Sequence, residues 1–161
     1  MKIIQKIESF LLHYNFNISS KAIYKPWGAY LLIKENQSIK FLNFFFDKKF
    51  IDKVSLNDKL SPKILIIKPK IRLSWQYHER RSEIWSVIKG DILVSKSLDD
   101  EEVKPFKLSE NDQINIGKEI RHRIIGTDDY ALVAEIWIHT DKNNPSDEKD
   151  IIRLQDDFNR N

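Results

Sequence analysis

From Ser61 onward, polar turn signals cut the chain into short apolar runs at a spacing of about ten residues, a rhythm that points to an all-β sandwich or barrel. The candidate strands fall at 63–68, 71–78, 83–89, 91–96, 104–108, 113–116, 120–125 and 130–139. Lys89-Gly90-Asp91, Ser97 to Glu102, Glu110 to Asp112 and Thr127 to Asp129 supply the turns between them.

The first sixty residues read differently. Ile3, Ile7, Phe10, Leu11 and Tyr14 recur at helical steps and predict an N-terminal helix lying against a sheet. A Pro26-Trp27-Gly28 turn within Tyr24 to Ile33 leads into a strand. A second, inserted helix follows, with Asn36 as its cap, Ile39, Leu42, Phe45 and Phe46 as its buried stripe, and an end near Phe50. The tail from Asp141 is polar apart from Ile151, Ile152, Leu154 and Phe158, and is expected to cross the barrel as a strap or short helix. At 161 residues and 41% hydrophobic content, the chain suits a single domain. Its parts are 1–60 (helix, first strand, inserted helix), 61–140 (barrel core) and 141–161 (strap).

Charge and composition narrow the partners. The net charge is only +3 and no basic run forms a phosphate-backbone patch, which argues against nucleic acid. The N-terminal helix carries Lys and Glu within its apolar stretch and resembles neither a signal peptide nor a membrane span. Cysteine is absent, which removes disulfides and thiolate metal sites and suits a cytoplasmic location.

The segment Gln76 to Glu83, QYHERRSE, concentrates chemistry in a chain with four histidines. Strand alternation turns Gln76 and His78 to one face and Trp75 and Tyr77 to the other. A hairpin returning through Glu83 would bring its carboxylate to the same point, and His122, opening a later strand, is a fourth candidate. Two imidazoles, a carboxylate and an amide oxygen suit a divalent cation. The alternative is a charged hairpin tip, with His78 and Glu83 exposed among Glu79, Arg80 and Arg81.

The stretch from Lys70 to Gly90 resembles the first motif of the cupin superfamily, with Lys70 at its first glycine and Gln76 at its first histidine. Glutamine there is a feature of the type II mannose-6-phosphate isomerase branch, which LSWQYHERRSEIW (73–85) resembles position by position. KPWGAY (25–30), ENDQINIGKEIRHR (110–123) and EKDIIRLQDDFNR (148–160) resemble further segments of that branch, in order. The chain resembles small bacterial cupins of the mannose-6-phosphate or phosphoheptose isomerase kind. Departures are Gly117 for the usual proline, Glu119 for the usual glycine, and Glu79, Arg80 and Ile84 where histidines are frequent.

The resemblance implies a mainly β cupin fold, a double-stranded β-helix or jelly-roll barrel, carrying the N-terminal helix and the short inserted helix. It implies Gln76, His78, Glu83 and His122 as ligands of a divalent metal, zinc first, with iron, manganese or nickel as alternatives. The implied activity is aldose–ketose isomerisation of a sugar phosphate through an enediolate. Glu135, inward-facing with Trp137, is the implied base, and Arg81 a second catalytic residue. Arg81 and Arg153, with Arg123 and Lys25 in reserve, are the implied phosphate contacts. The alternative is a non-catalytic metal-binding cupin that recognises a sugar or sugar nucleotide. His13 and His139 are read as structural, and Trp27, Trp75 and Trp85 as packing residues. The apolar N-terminal helix and FLNFFF make a homodimer an expectation.

Overall fold

The central strands bury both of their faces, which is why several read as unbroken apolar runs instead of alternating. A computed structural model describes residues 2–55 and 57–160; Met1, Leu56 and Asn161, which the expected single domain includes, lie outside the described residues. In chain order, α1 (Lys2–His13) is followed by β1 (Ile18–Lys25) and β2 (Gly28–Ile33). A 3-10 turn at Glu35–Gln37, α2 (Ser38–Phe45) and α3 (Lys48–Ile51) come next. The strands continue as β3 (Leu60–Ile67), β4 (Trp75–Tyr77), β5 (Arg81–Lys89), β6 (Ile92–Ser97), β7 (Phe106–Leu108), β8 (Gln113–Ile116), β9 (Arg121–Gly126) and β10 (Ala131–His139). A 3-10 turn at Glu148–Asp150 leads into β11 (Ile152–Gln155).

Two antiparallel sheets form the expected jelly roll. One has the order β1-β2-β3-β10-β5-β8, the other β11-β4-β9-β6-β7. Leu65, Ile67, Trp85, Val87, Ile116 and Val133 of the larger sheet meet Ile92, Val94 and Ile124 of the smaller in an inner core. The alternate residues Ile64, Ile66, Ile84, Ala134 and Ile136 face the other way, against Ile7 and Leu11 of α1 and Phe41 and Leu42 of α2. Each apolar side chain buried this way contributes about 1.5–3 kcal/mol. The helices thus cover the back of the larger sheet and leave its inner face to the site.

The N-terminal third departs from expectation in several places. α1 stops at His13 because Asn15 adopts a left-handed φ of 58°, with Asn15 N donating to Leu12 O and Phe16 N to Leu11 O. This pair of hydrogen bonds is a Schellman cap, and it drives Phe16 into the core. Phe10 and Tyr14, expected on the buried face, lean outward and pack against Phe44. β1 was not expected; it is an edge strand with weak alternation and little apolar signal. The inserted helix is two pieces, and Asn36 lies in the preceding 3-10 turn instead of capping it. Its buried side is Ser38, Phe41 and Leu42, while Ile39 is exposed, because so many phenylalanines offer more than one apolar stripe. The strand expected over 71–78 contracts to Trp75–Tyr77, and the strap is a 3-10 turn plus β11.

Candidate functional site

Gln76 and Glu83 do not face each other across a hairpin. β4 belongs to the smaller sheet and β5 to the larger, so Tyr77 to Arg81 crosses from one to the other. Convergence comes instead from the two inner faces meeting. In the smaller sheet, Gln76 pairs with His122 of β9 on one side and Arg153 of β11 on the other. In the larger, Glu83 pairs with Trp137 of β10, and Glu135 lies between Trp85 and Lys63. His78 joins from just beyond β4.

Among the described residues, His78, Glu83 and His122 bring one potential ligand atom each to within 4.8 Å of one another, and all three are buried. His78 Nε2 lies 3.2 Å from Glu83 Oε1, and His122 Nε2 lies 3.7 Å from Glu83 Oε2. Ligands bound tetrahedrally at about 2.1 Å stand about 3.4 Å apart, so these separations fit one cation. Each imidazole is anchored by its other nitrogen: His78 Nδ1 to Asp150 O at 3.1 Å, His122 Nδ1 to Ile120 O at 2.8 Å. That leaves both Nε2 atoms as lone-pair donors, as in metal sites whose outer contacts fix the tautomer. His122 Nε2 is buried with no hydrogen-bond partner among the described residues, an orphan that a cation would satisfy.

Electrostatics agree. Burial alone would raise the Glu83 carboxyl, but neighbouring positive charge, the Arg81 guanidinium first, holds it well below the usual carboxylate range. Burial pulls His122 down to about 4, leaving it neutral and able to coordinate at pH 7. Gln76 places Nε2 3.4 Å from His78 Nε2 while Ser74 Oγ contacts Oε1 at 2.5 Å. A half-turn of the amide sets its oxygen toward the imidazoles, and the serine hydroxyl serves either orientation.

A pocket of about 100 Å³ opens beside this cluster. Its buried wall carries Glu135 and Lys63, with Lys63 Nζ 3.9 Å from the carboxylate and 3.0 Å over the Trp137 ring. Burial, then the Glu83 charge, pushes Glu135 up to about 8. Burial likewise brings Lys63 down to about 8 against the opposing pull of Glu135. Lys25, Arg153 and Arg160 line the same pocket, Arg160 paired with Asp156, and Arg153 Nε is buried without a hydrogen-bond partner among the described residues.

Of the sequence-derived candidates, Gln76, His78, Glu83 and His122 meet in one cluster, with Glu135, Lys25 and Arg153 around the adjoining pocket. Arg81 is only 1% exposed, inside the cluster instead of on the hairpin tip. Arg123 is committed elsewhere, to Glu102 at 2.7 Å and Gln155 Oε1 at 3.0 Å, where it ties β9 to β11 and the 99–102 turn. Lys63, Arg160 and Asp150 were not anticipated. Only Lys63 carried a signal, as a lone charge within the apolar run Pro62 to Ile67. His139 is held by Ser61 Oγ and Ser146 N, and His13 is exposed beside Tyr14. Glu79 is exposed, Arg80 reaches Asn144, Pro145 and Asp147, and Ile84 packs into the helix-side core, so none of these departures lines the pocket.

The family described as mannose-6-phosphate isomerase C-terminal matches residues 49–156. The alginate biosynthesis protein AlgA of Pseudomonas aeruginosa is 30% identical over 138 residues, covering 86% of this chain and 23% of its own length. A mannose-1-phosphate guanylyltransferase of Salmonella montevideo is 26% identical over 160 residues, covering 99% of this chain and 27% of its own. The chain spans about a quarter of the length of the curated relatives it matches. Oxalate decarboxylase from Bacillus subtilis superposes with a TM-score of 0.57 at 13% identity, over 86% of this chain and 32% of that one, a likeness of cupin fold alone. No helix among the described residues is long and apolar enough to cross a membrane.

Proposed function

This chain belongs to the mannose-6-phosphate isomerase C-terminal family, and from that premise we propose that it is a metal-dependent sugar-phosphate isomerase that interconverts an aldose 6-phosphate and its ketose. The observation that carries the reading is the meeting, at one pocket, of a metal-type donor set, a buried carboxyl near neutrality and a cationic lining. The reaction moves a proton between C1 and C2 of the open-chain sugar by way of an enediolate. A divalent ion held by His78, Glu83, His122 and Gln76 would supply positive charge for the two enediolate oxygens, worth several kcal/mol. Zinc is the first choice for these donors, and iron, manganese and nickel suit them as well.

Glu135 is the proton carrier in this reading. A general base works best with a pKa near the working pH, and burial brings this carboxyl to about 8. The Lys63 ammonium, 3.9 Å away, offsets the charge that Glu135 gains when it ionises. Arg153 and Lys25 are the groups for the phosphate dianion, with Arg160 beside them already paired to Asp156, because a guanidinium fork matches phosphate oxygens. The position of Glu79, Arg80 and Ile84 away from the pocket supports the same reading, since the departures from the isomerase pattern leave its lining alone.

Deuterium exchange tests it. In D₂O, metal-replete protein is expected to exchange the C2 hydrogen of mannose 6-phosphate, with Glu135→Gln slower by about a hundredfold or more. No exchange with mannose 6-phosphate, fructose 6-phosphate or sedoheptulose 7-phosphate would sink the isomerase and leave a cupin that binds a sugar or sugar nucleotide without turnover. Elemental analysis of the purified protein beside His78→Ala and His122→Ala tests the ligands. Equal metal in all three would refute them.

A further inference from the structure

His78 has a single lone pair to give. With Nδ1–H directed at Asp150 O, Nε2 is the ring's one acceptor, and its lone pair lies in the ring plane. Arg81 Nη2 sits 3.0 Å from that atom, while Arg81 Nε donates to Glu83 Oε1 at 2.7 Å. The guanidinium therefore bridges two of the residues assigned to the cation. A lone pair that accepts an N–H cannot coordinate a metal at the same time.

We propose that Arg81 is an internal cation that competes with the divalent metal for His78 and Glu83, so that metal entry turns the guanidinium toward the pocket and completes an anion site there. The inference rests on the metal-dependent reading above and concerns how that site loads. Arg81 is fully buried, stacked 3.4 Å over the Trp137 ring, with Nη1 donating to Ser146 Oγ at 2.7 Å. These contacts pivot on neutral groups; among the described residues the only carboxylate it bonds is Glu83, the one the metal would take. Once displaced, its charge is left among Lys63 and Arg153, which line the same pocket. With Lys63 answered by Glu135 at 3.9 Å, the freed Arg81 and the half-buried Arg153 need an anion, and a phosphate dianion supplies two charges and acceptors for the fork. Linkage makes the coupling reciprocal: phosphate that holds Arg81 in the pocket raises metal affinity by the factor by which metal raises phosphate affinity.

The experiment is calorimetric titration of Mn²⁺ and Zn²⁺ into the chelator-stripped full chain, with and without inorganic phosphate, for wild type, Arg81→Met and Arg81→Lys. Arg81→Met is expected to bind metal about tenfold to a hundredfold more tightly, the equivalent of one charge-assisted hydrogen bond. Arg81→Lys keeps the charge without the fork and should fall between. Phosphate should tighten metal binding by wild type and leave Arg81→Met unchanged. Repeating the phosphate arm with mannose 6-phosphate separates a requirement for the sugar from one for the anion alone. Metal binding by wild type with equal or weaker binding by Arg81→Met overturns the competition and leaves the metal site standing. Binding by neither overturns both, and binding by Arg81→Met alone supports it in its strongest form. Should Arg81→Met fail to fold, the wild-type titrations decide, since metal affinity indifferent to phosphate would refute the coupling.

Discussion

Asp150→Ala tests how far the C-terminal strap is part of the site. Asp150 is 5% exposed at the end of the Glu148–Asp150 turn. Its Oδ1 accepts the Glu79 N–H at 3.1 Å, and its Oδ2 accepts the Arg80 N–H at 3.1 Å and the Ser146 hydroxyl at 2.5 Å. Its own carbonyl receives His78 Nδ1. The carboxylate thus closes the crossing segment against the strap, and the same residue orients a ligand histidine. Hydrogen bonds to charged groups contribute about 1.5–3 kcal/mol each. Glu79 is exposed and the Arg80 amide only part-buried, so water recovers some of the loss and the three together come to about 3 kcal/mol. For a chain of this length that lowers Tm by roughly 6–12 °C. Loosening His78 should also weaken metal binding by about tenfold to a hundredfold. Asp150→Asn, with one acceptor oxygen left, should lose about half as much stability. Urea denaturation at pH 7 followed by tryptophan fluorescence gives the first quantity, and metal titration the second. A deficit under about 1 kcal/mol with unchanged metal affinity would refute the role, since even one such bond is worth more. Burial alone would raise the Asp150 carboxyl, but Ser146 and the two amides hold it below its ordinary 3.8. Its contribution is therefore complete above that value and is lost as pH falls through the lower folded one, so the gap between wild type and Asp150→Ala should close in acid.

Lys70 and Glu119 hold left-handed φ values of 56° and 62°, so Lys70→Gly and Glu119→Gly should each stabilise the fold by about 0.5–1 kcal/mol, read as higher Tm; a fall in both would refute the strain. Gly28→Ala should cost about 3 kcal/mol or more, because φ is 148° and a Cβ would stand 1.8 Å from Ile66 O; denaturant midpoints check it. The exchange reaction should accelerate with pH as Glu135 ionises, a limb that Glu135→Gln removes and that a cation on Glu83 moves below about 8 by cancelling a charge that raises this carboxyl. The same raised pKa means that the folded state holds this proton more tightly than the unfolded chain. That contribution to stability is complete below about 4.5 and lost as pH rises through about 8, so wild type should lose ground to Glu135→Gln over that window in denaturation midpoints.

The strand rhythm after Ser61 and the shared face of Gln76 and His78 were legible in the residues, because alternation reports which side of its own strand a side chain takes. Alternation is silent about what packs opposite. QYHERRSE therefore read as a hairpin, when it is a crossing between sheets whose inner faces bring Glu83 to the histidines. Arg81 read as a phosphate contact in the hairpin turn for the same reason, and only closure of the sandwich, with Trp137 opposite Glu83, encloses its guanidinium. β1 escaped notice because an edge strand needs little apolar pattern; β2 supplies its hydrogen bonds. Sequence determined which groups face inward; the closing of two sheets determined which of them meet. That distinction is physical, since a charge such as Lys63 or Arg81 is tolerated in a buried wall only where the opposing strand provides its carboxylate or its aromatic face.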